Sequence, residues 1–214
     1  MDAPVEKAEA IFACWKAAAT AVRRFSYDQH MRRSALSAGF AALFLPLATA
    51  AQTMEFACPE PGTTFTYDSG VKVVARGREG MTCTMERVGG APFKLSALLF
   101  DNPSPDGANM SAYIAALRPE RLWPLEVGKK VEAQYSAGGA TWDYLFTVVR
   151  YERRTSPAGK MIDTFLIEMT ERGSKGQRSI SRWWISPADK FAIRYDFSDG
   201  TGKANRAVVT EVTR

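Results

Sequence analysis

Histidine is almost missing from this chain. The only one is His30, and cysteine is scarce too, with three among 214 residues. Each shortage excludes a chemistry. A region past residue 50 has no imidazole, so it cannot run a Ser-His-Asp or Cys-His mechanism. It cannot build the usual histidine-based zinc, copper or iron sites either. Two sulfurs without a histidine make a poor zinc site. No cofactor and no metal are therefore expected. Charge of one sign is also in short supply: the formal net charge is +5. Residues 1–50 hold six of the basic and four of the acidic side chains, leaving 22 basic against 19 acidic beyond them. So small an excess gives no reason to expect a nucleic-acid partner.

What is present begins with a compartment signal. Arg32 and Arg33 precede an uncharged run from Ser34 to Ala51 that contains Leu36, Phe40, Leu43, Phe44, Leu45 and Leu47 and closes on Ala48-Thr49-Ala50. A basic start, a short apolar middle and a small-x-small end are the parts of a secretory signal peptide, expected over 31–50. The competing reading is a membrane anchor, since eighteen residues just suffice to span. The run is rich in Ala and Ser and carries Pro46, so cleavage is expected, leaving no stable membrane span. Residues 1–30 sit oddly ahead of such a signal. Either Met31 is the true start and 1–30 is a mis-assigned extension, or the extension is real and cytoplasmic. The expected location of the remainder, 51–214, is periplasmic or secreted.

Cys14 falls in the extension, which leaves Cys58 and Cys83. In an exported domain such a pair reads as one disulfide; the alternative is two free thiols.

From residue 51 onward, turn residues recur at short intervals, among them Asp68-Ser69-Gly70, Gly89-Gly90, Pro157-Ala158-Gly159 and Asp199-Gly200. Between them lie runs rich in Val, Ile, Thr and aromatics, as strands require. Residues 190–197 alternate most clearly, with Phe191, Ile193, Tyr195 and Phe197 on one face and Lys190, Ala192, Arg194 and Asp196 on the other. Residues 141–151 and 161–171 behave similarly. Further strands are expected at 63–67, 71–76, 81–88, 93–100, 131–136, 178–186 and 205–213. The pattern predicts an all-β fold: a strongly curved antiparallel sheet or open barrel of about ten strands, with one short helix. That helix carries Tyr113, Ile114 and Leu117 on one stripe, is capped by Asn109 or Ser111, and ends at Pro119. The strand groups on either side of it, 51–100 and 120–214, are expected to share one core.

Several short motifs lie in the second group. They are Trp123-Pro124-Leu125, Gly128-Lys129, Pro157-Ala158-Gly159, Asp163-Thr164-Phe165, Trp183-Trp184-Ile185-Ser186-Pro187 and Ile193-Arg194-Tyr195. Together they resemble the TapB-like group of exported bacterial β-domains, over residues 122–197. The turn is longer here by Lys160-Met161-Ile162. The resemblance implies a β-fold and an envelope location, and it transfers no catalytic residue.

Three sets of residues are candidates for function. Trp142, Tyr144, Trp183, Trp184, Phe191 and Tyr195 either line the mouth of a cupped sheet and hold an apolar or sugar-like ligand, or fill the core. Neighbouring Trp183 and Trp184 must point to opposite faces of a strand, so one of them is expected to be partly exposed. Arg150, Arg153, Arg154, Arg172, Lys175, Arg178 and Arg182 either meet anionic headgroups or guard a solvated edge. Asp143, Glu152, Asp163 and Glu168 are the carboxylates from which a glycosidase-like pair would have to come, and Ser181 with Lys160 or Lys190 the only Ser-Lys pairing considered. The ligand-binding set expected is Trp142, Trp183, Trp184, Tyr195 and Arg182, with no catalytic residue assigned. The expected function is an exported binding or accessory protein that holds an apolar or envelope-derived ligand, or a protein partner, on the concave sheet face. The other reading is a histidine-independent cell-envelope hydrolase working through paired carboxylates.

Overall fold

The computed structural model describes residues 52–102 and 108–214. The expected signal peptide, the extension before it and Cys14 lie outside the described residues. The elements in order are β1 (Thr53–Met54), β2 (Thr64–Tyr67), β3 (Lys72–Glu79), β4 (Thr82–Arg87), β5 (Pro92–Ser96) and β6 (Phe100–Asn102). Helix α1 (Ala108–Leu117) and a 3-10 turn (Pro119–Leu122) follow. Then come β7 (Leu125–Glu126), β8 (Lys130–Ala137), β9 (Ala140–Thr155), β10 (Met161–Gly173), β11 (Arg178–Ser186), β12 (Phe191–Ser198) and β13 (Ala204–Thr213).

Eleven strands form one antiparallel sheet in the order β6-β5-β4-β3-β2-β13-β12-β11-β10-β9-β8, and β1 pairs with β7 separately. Two meanders, β2–β6 and β8–β13, are thus joined by their first and last strands. The number exceeds the expected ten because the candidate 93–100 is two strands. Ala97 and Leu98 take positive φ between them, at 50° and 63°, and turn β5 back into β6.

The sheet is curled, and side chains prove it. β6 and β11 are seven positions apart in the sheet, about 34 Å if it were flat. Yet the Phe100 ring on β6 lies 5.9 Å from Trp183 on β11 and 6.0 Å from Phe146 on β9. Four β-bulges supply the bend, breaking register at Arg76, Val149, Ile193 and Thr210, each of which is left without a cross-strand partner. An extra residue on one strand bends it and increases its twist. The bulge at Ile193 also breaks the strict alternation expected over 190–197. Helix α1 contacts both β6 and β8, the two edges of the sheet. Its Tyr113 ring reaches Phe100 at 6.0 Å, Tyr135 at 5.3 Å and Tyr144 at 5.7 Å. The helical stripe Tyr113, Ile114 and Leu117 faces the core as expected. The expected caps do not hold, because the helix starts at Ala108 and takes Asn109 and Ser111 into its first turns.

Of the residues expected to lengthen the β9–β10 turn, only Lys160 lies in it; Met161 and Ile162 are paired in β10 with Thr155 and Arg154. Ser156 N–H donates to the Lys160 carbonyl at 2.7 Å. Gly159 takes φ +77° at its tip, the left-handed region that an L side chain resists.

Cys58 and Cys83 form a disulfide, Cα to Cα 5.6 Å. It ties the loop after β1 to β4, where Cys83 is fully buried. That loop also carries Phe56, which packs edge-on to Trp123 at 5.2 Å.

One carboxylate is poorly accommodated. Asp101 on β6 has one buried oxygen without a hydrogen-bond partner among the described residues, and its other oxygen is 4.0 Å from Arg87 on β4. Burial pushes its pKa up to about 6, with Arg87 opposing. The nearby Tyr67 phenol on β2 is raised by burial and by the Asp101 charge. Because the folded pKa lies above the unfolded value, the folded state binds the extra proton between about pH 4 and pH 6. Asp101 therefore costs stability progressively as pH rises through that window. Asp101→Asn is expected to exceed the wild type in stability at pH 7.5 by about 1–3 kcal/mol and to match it at pH 4. Urea unfolding at the two pH values checks this; the same difference at both would contradict it.

Candidate functional site

The face of the sheet opposite the aromatic core carries charge. Cross-strand register places Arg150, Leu166, Trp184, Arg194 and Val208 in one row across β9 to β13. The neighbouring row runs Thr147, Glu168, Arg182, Asp196 and Arg206. Strand alternation dictates this: Trp183 and Tyr195 turn inward, so Trp184 and Arg194 turn outward.

Trp184 is nonetheless only 4% exposed. Among the described residues, side chains cover it. The guanidinium carbons of Arg154 and Arg194 lie 4.8 and 4.6 Å from its ring centroid, within the range of cation–π attraction. Its Nε1–H donates to Glu152 Oε1 at 2.7 Å. Glu152 also accepts from Arg150 Nε at 2.7 Å and Arg154 Nη1 at 3.1 Å. Burial raises the Glu152 carboxyl, but the donors from Arg150, Trp184 and Arg154 outweigh it and hold it below its ordinary value. Arg182 donates to Glu168 at 2.7 Å and Arg194 to Asp196 at 2.9 and 2.5 Å.

Two depressions flank this cluster. One, of about 290 Å³, is walled by Arg150, Arg182, Arg194, Glu168 and Asp196 over Val149, Leu166 and Trp184. The other, of about 260 Å³, lies between Arg154, Arg194 and Arg206 over Ile193, Val208 and Val209. The bulged residues Val149 and Ile193 each contribute to an apolar floor.

The expected ligand-binding residues are not brought together. Trp184 and Arg182 belong to the outer face. Trp183 and Tyr195 face the core with ring centroids 5.4 Å apart. Trp142 is half-buried at the end of β9, packed against Gly173, where a Cβ would come within 2.7 Å of its ring. Tyr144 and Phe191 are buried as well. The expectation that one of Trp183 and Trp184 is exposed is corrected: both are buried, one by the core and one by arginines. Of the basic set, Arg150, Arg154 and Arg182 join the outer cluster. Arg153 pairs with Asp163 at 2.8 Å, and Arg172 and Arg178 face each other across β10 and β11 beside the turn holding Lys175. Arg194 and Arg206 complete the cluster; the sequence places Arg194 on a wet strand face and Arg206 only within the strand candidate 205–213.

The four carboxylates considered do not form a pair. Asp143 accepts from Gln134 at 2.8 Å. Thr164 is the register partner of Glu152, and Glu168 lies four residues further along β10, about 13 Å away. Ser181 is buried and shares a 3.3 Å hydrogen bond with the Tyr195 hydroxyl, Lys190 is paired with Glu60, and Lys160 lies in the β9–β10 turn, far along β10 from Met169, the register partner of Ser181; no Ser-Lys dyad is assembled. Among the described residues, no group of three His, Cys, Asp or Glu side chains is placed to hold a metal ion, and no helix is long and apolar enough to cross a membrane.

A family model described as "Protein of unknown function (DUF3108)" matches residues 97–206, just over half of the chain. The chain belongs to the DUF3108 family. The DUF3108 region contains the whole stretch 122–197 whose motifs resemble TapB-like domains, and DUF3108, not TapB-like, is the family matched. It runs from the β5–β6 turn into β13 and so includes every arginine of the outer cluster. No curated protein matches the chain. Among solved structures, this DUF3108 protein is similar to the hypothetical lipoprotein YmcC from Escherichia coli K12. The TM-score is 0.40 and identity 12%, over 72% of this chain and 87% of that one. It is also similar to a putative exported protein with a YmcC-like fold from Bacteroides fragilis, with TM-score 0.34 and 13% identity, over 75% of this chain and all of that one.

Proposed function

We propose that this DUF3108 protein is an exported, non-enzymatic binding protein of the periplasm or cell exterior, and that its ligand site is the outer face of β9–β13 around Trp184. One observation carries the reading. Five guanidiniums from four strands, Arg150, Arg154, Arg182, Arg194 and Arg206, gather about one buried indole, against three carboxylates, Glu152, Glu168 and Asp196. The Arg150–Glu152 pair is exposed and contributes little to stability, Arg206 has no ion pair among the described residues, and the core on the other face is already filled with aromatics. Arg154 and Arg194 suffice to cover the indole, and an array of five arginines exceeds that need and is suited to recognition. The carboxylates hold the guanidiniums in fixed orientations, which lowers the entropy lost on binding. Export rests on Arg32-Arg33, the run 34–51 and its small-x-small end, and the Cys58–Cys83 bridge suits an oxidising compartment.

Protein gently isolated from the periplasm is expected to begin near Ala51 and, by native mass spectrometry, to carry a ligand or partner. The double variant Arg182→Ala, Arg194→Ala is expected to shed it. Intact chain in the cytosol, or repeated absence of any bound species, would contradict the proposal.

A further inference from the structure

The two depressions differ in charge, and the difference identifies a ligand class. In the first, Glu168 and Asp196 stand in the wall and already occupy Arg182 and Arg194. In the second, three arginines line the wall and no carboxylate does; Arg194 is paired with Asp196 and Arg154 with Glu152 outside that wall, which leaves Arg206 with its full charge to offer. Arg206 makes no ion pair or side-chain hydrogen bond among the described residues, although Asp196 is its register partner. Arg154 and Arg194 are both held against the Trp184 ring, and Arg194 and Arg206 sit diagonally on adjacent strands, about 7–8 Å apart at their backbones. A phosphate between them would meet the fork of Arg206 and the N–H donors that Arg154 and Arg194 keep beyond those given to Glu152 and Asp196. The floor beneath is apolar, formed by Ile193, Val208 and Val209, which a free inorganic ion does not need. At about 260 Å³ the space lies just below the usual range for small-molecule pockets, enough for a head and the start of a chain. Trp184 is covered by guanidiniums, so no ring is offered for base stacking.

We infer that the depression between Arg154, Arg194 and Arg206 binds a phosphate-headed lipid, phosphate on the guanidiniums and acyl chain on Ile193, Val208 and Val209. The inference rests on the outer face being the binding site and adds the chemistry of the occupant.

Calorimetric titration of the exported protein with dihexanoyl phosphatidic acid, dihexanoyl phosphatidylcholine and inorganic phosphate tests it. Phosphatidic acid is expected to bind at least about tenfold more tightly than either alternative. Arg206→Gln, at an exposed and unpaired position, is expected to weaken it about tenfold with unfolding unchanged. Three results would overturn it: no binding of phosphatidic acid, equal binding of inorganic phosphate, or binding only to phosphatidylglycerol vesicles that Arg206→Gln leaves unaltered. If native mass spectrometry finds a different retained species while phosphatidic acid fails, the lipid inference falls and the binding function stands. If no species is retained at all, both fall.

Discussion

Phe100→Ala is expected to lower the unfolding free energy by about 3–5 kcal/mol, the range for a buried Phe replaced by Ala. The reason lies in the curl of the sheet. Phe100 sits on the edge strand β6, 8% exposed, and its ring meets Tyr113 on α1, Phe146 on β9 and Trp183 on β11. With Tyr113, whose own ring also meets Tyr135 on β8 and Tyr144 on β9, it links the first meander, the helix and the second meander at one point. Losing the ring opens a cavity at the place where the two ends of the sheet close on each other, and edge-to-face geometry adds to what area alone provides. Urea unfolding followed by tryptophan fluorescence reads the loss, with Trp183 as a reporter in direct contact. A change below about 1 kcal/mol would mean that the two ends of the sheet do not meet.

Removing the disulfide is expected to cost about 3.5 kcal/mol in the chain-entropy model for a separation of 25 residues. The Cys58→Ala, Cys83→Ala double variant keeps small apolar groups at two buried positions, so packing changes little and the unfolded chain gains freedom. Two measurements separate this from a packing effect. Reductant should lower the stability of the wild type by a similar amount and leave the double variant unmoved. Equal stability of oxidised and reduced wild type would show that the bridge is absent or without consequence.

Strand positions were legible because alternation and turn chemistry are local. Candidates such as 178–186 and 205–213 agree with β11 and β13 to within a residue. Bulges were not legible. The residues that break register, Val149 and Ile193 among them, are ordinary strand formers, and only the partner strand reveals an extra residue. That is why the site was half seen. Arg182 and Trp184 stand out by residue type alone, but the cluster is made by register across five strands. Arg194 and Arg206 lie 12 and 24 positions from Arg182 in the sequence and one and two strands away in the sheet. The exposure expected of a tryptophan failed for a related reason. Parity sends one of the two adjacent tryptophans outward without telling which, and it says nothing about a covering of arginines that the fold assembles from β9 and β12. The Cys58–Cys83 pairing was legible by scarcity alone.

The account divides the sheet into a packed inner face and a binding outer face, and the indole N–H signals of Trp183 and Trp184 report on the two separately. Two-dimensional NMR of the exported protein during titration with dihexanoyl phosphatidic acid is the direct test. The Trp184 Nε1–H resonance should shift, since its Glu152 acceptor shares Arg154 with the groove, while Trp183 and Trp123 stay in place. Movement of Trp183 with Trp184 unmoved would put the ligand inside the curled sheet and contradict the account.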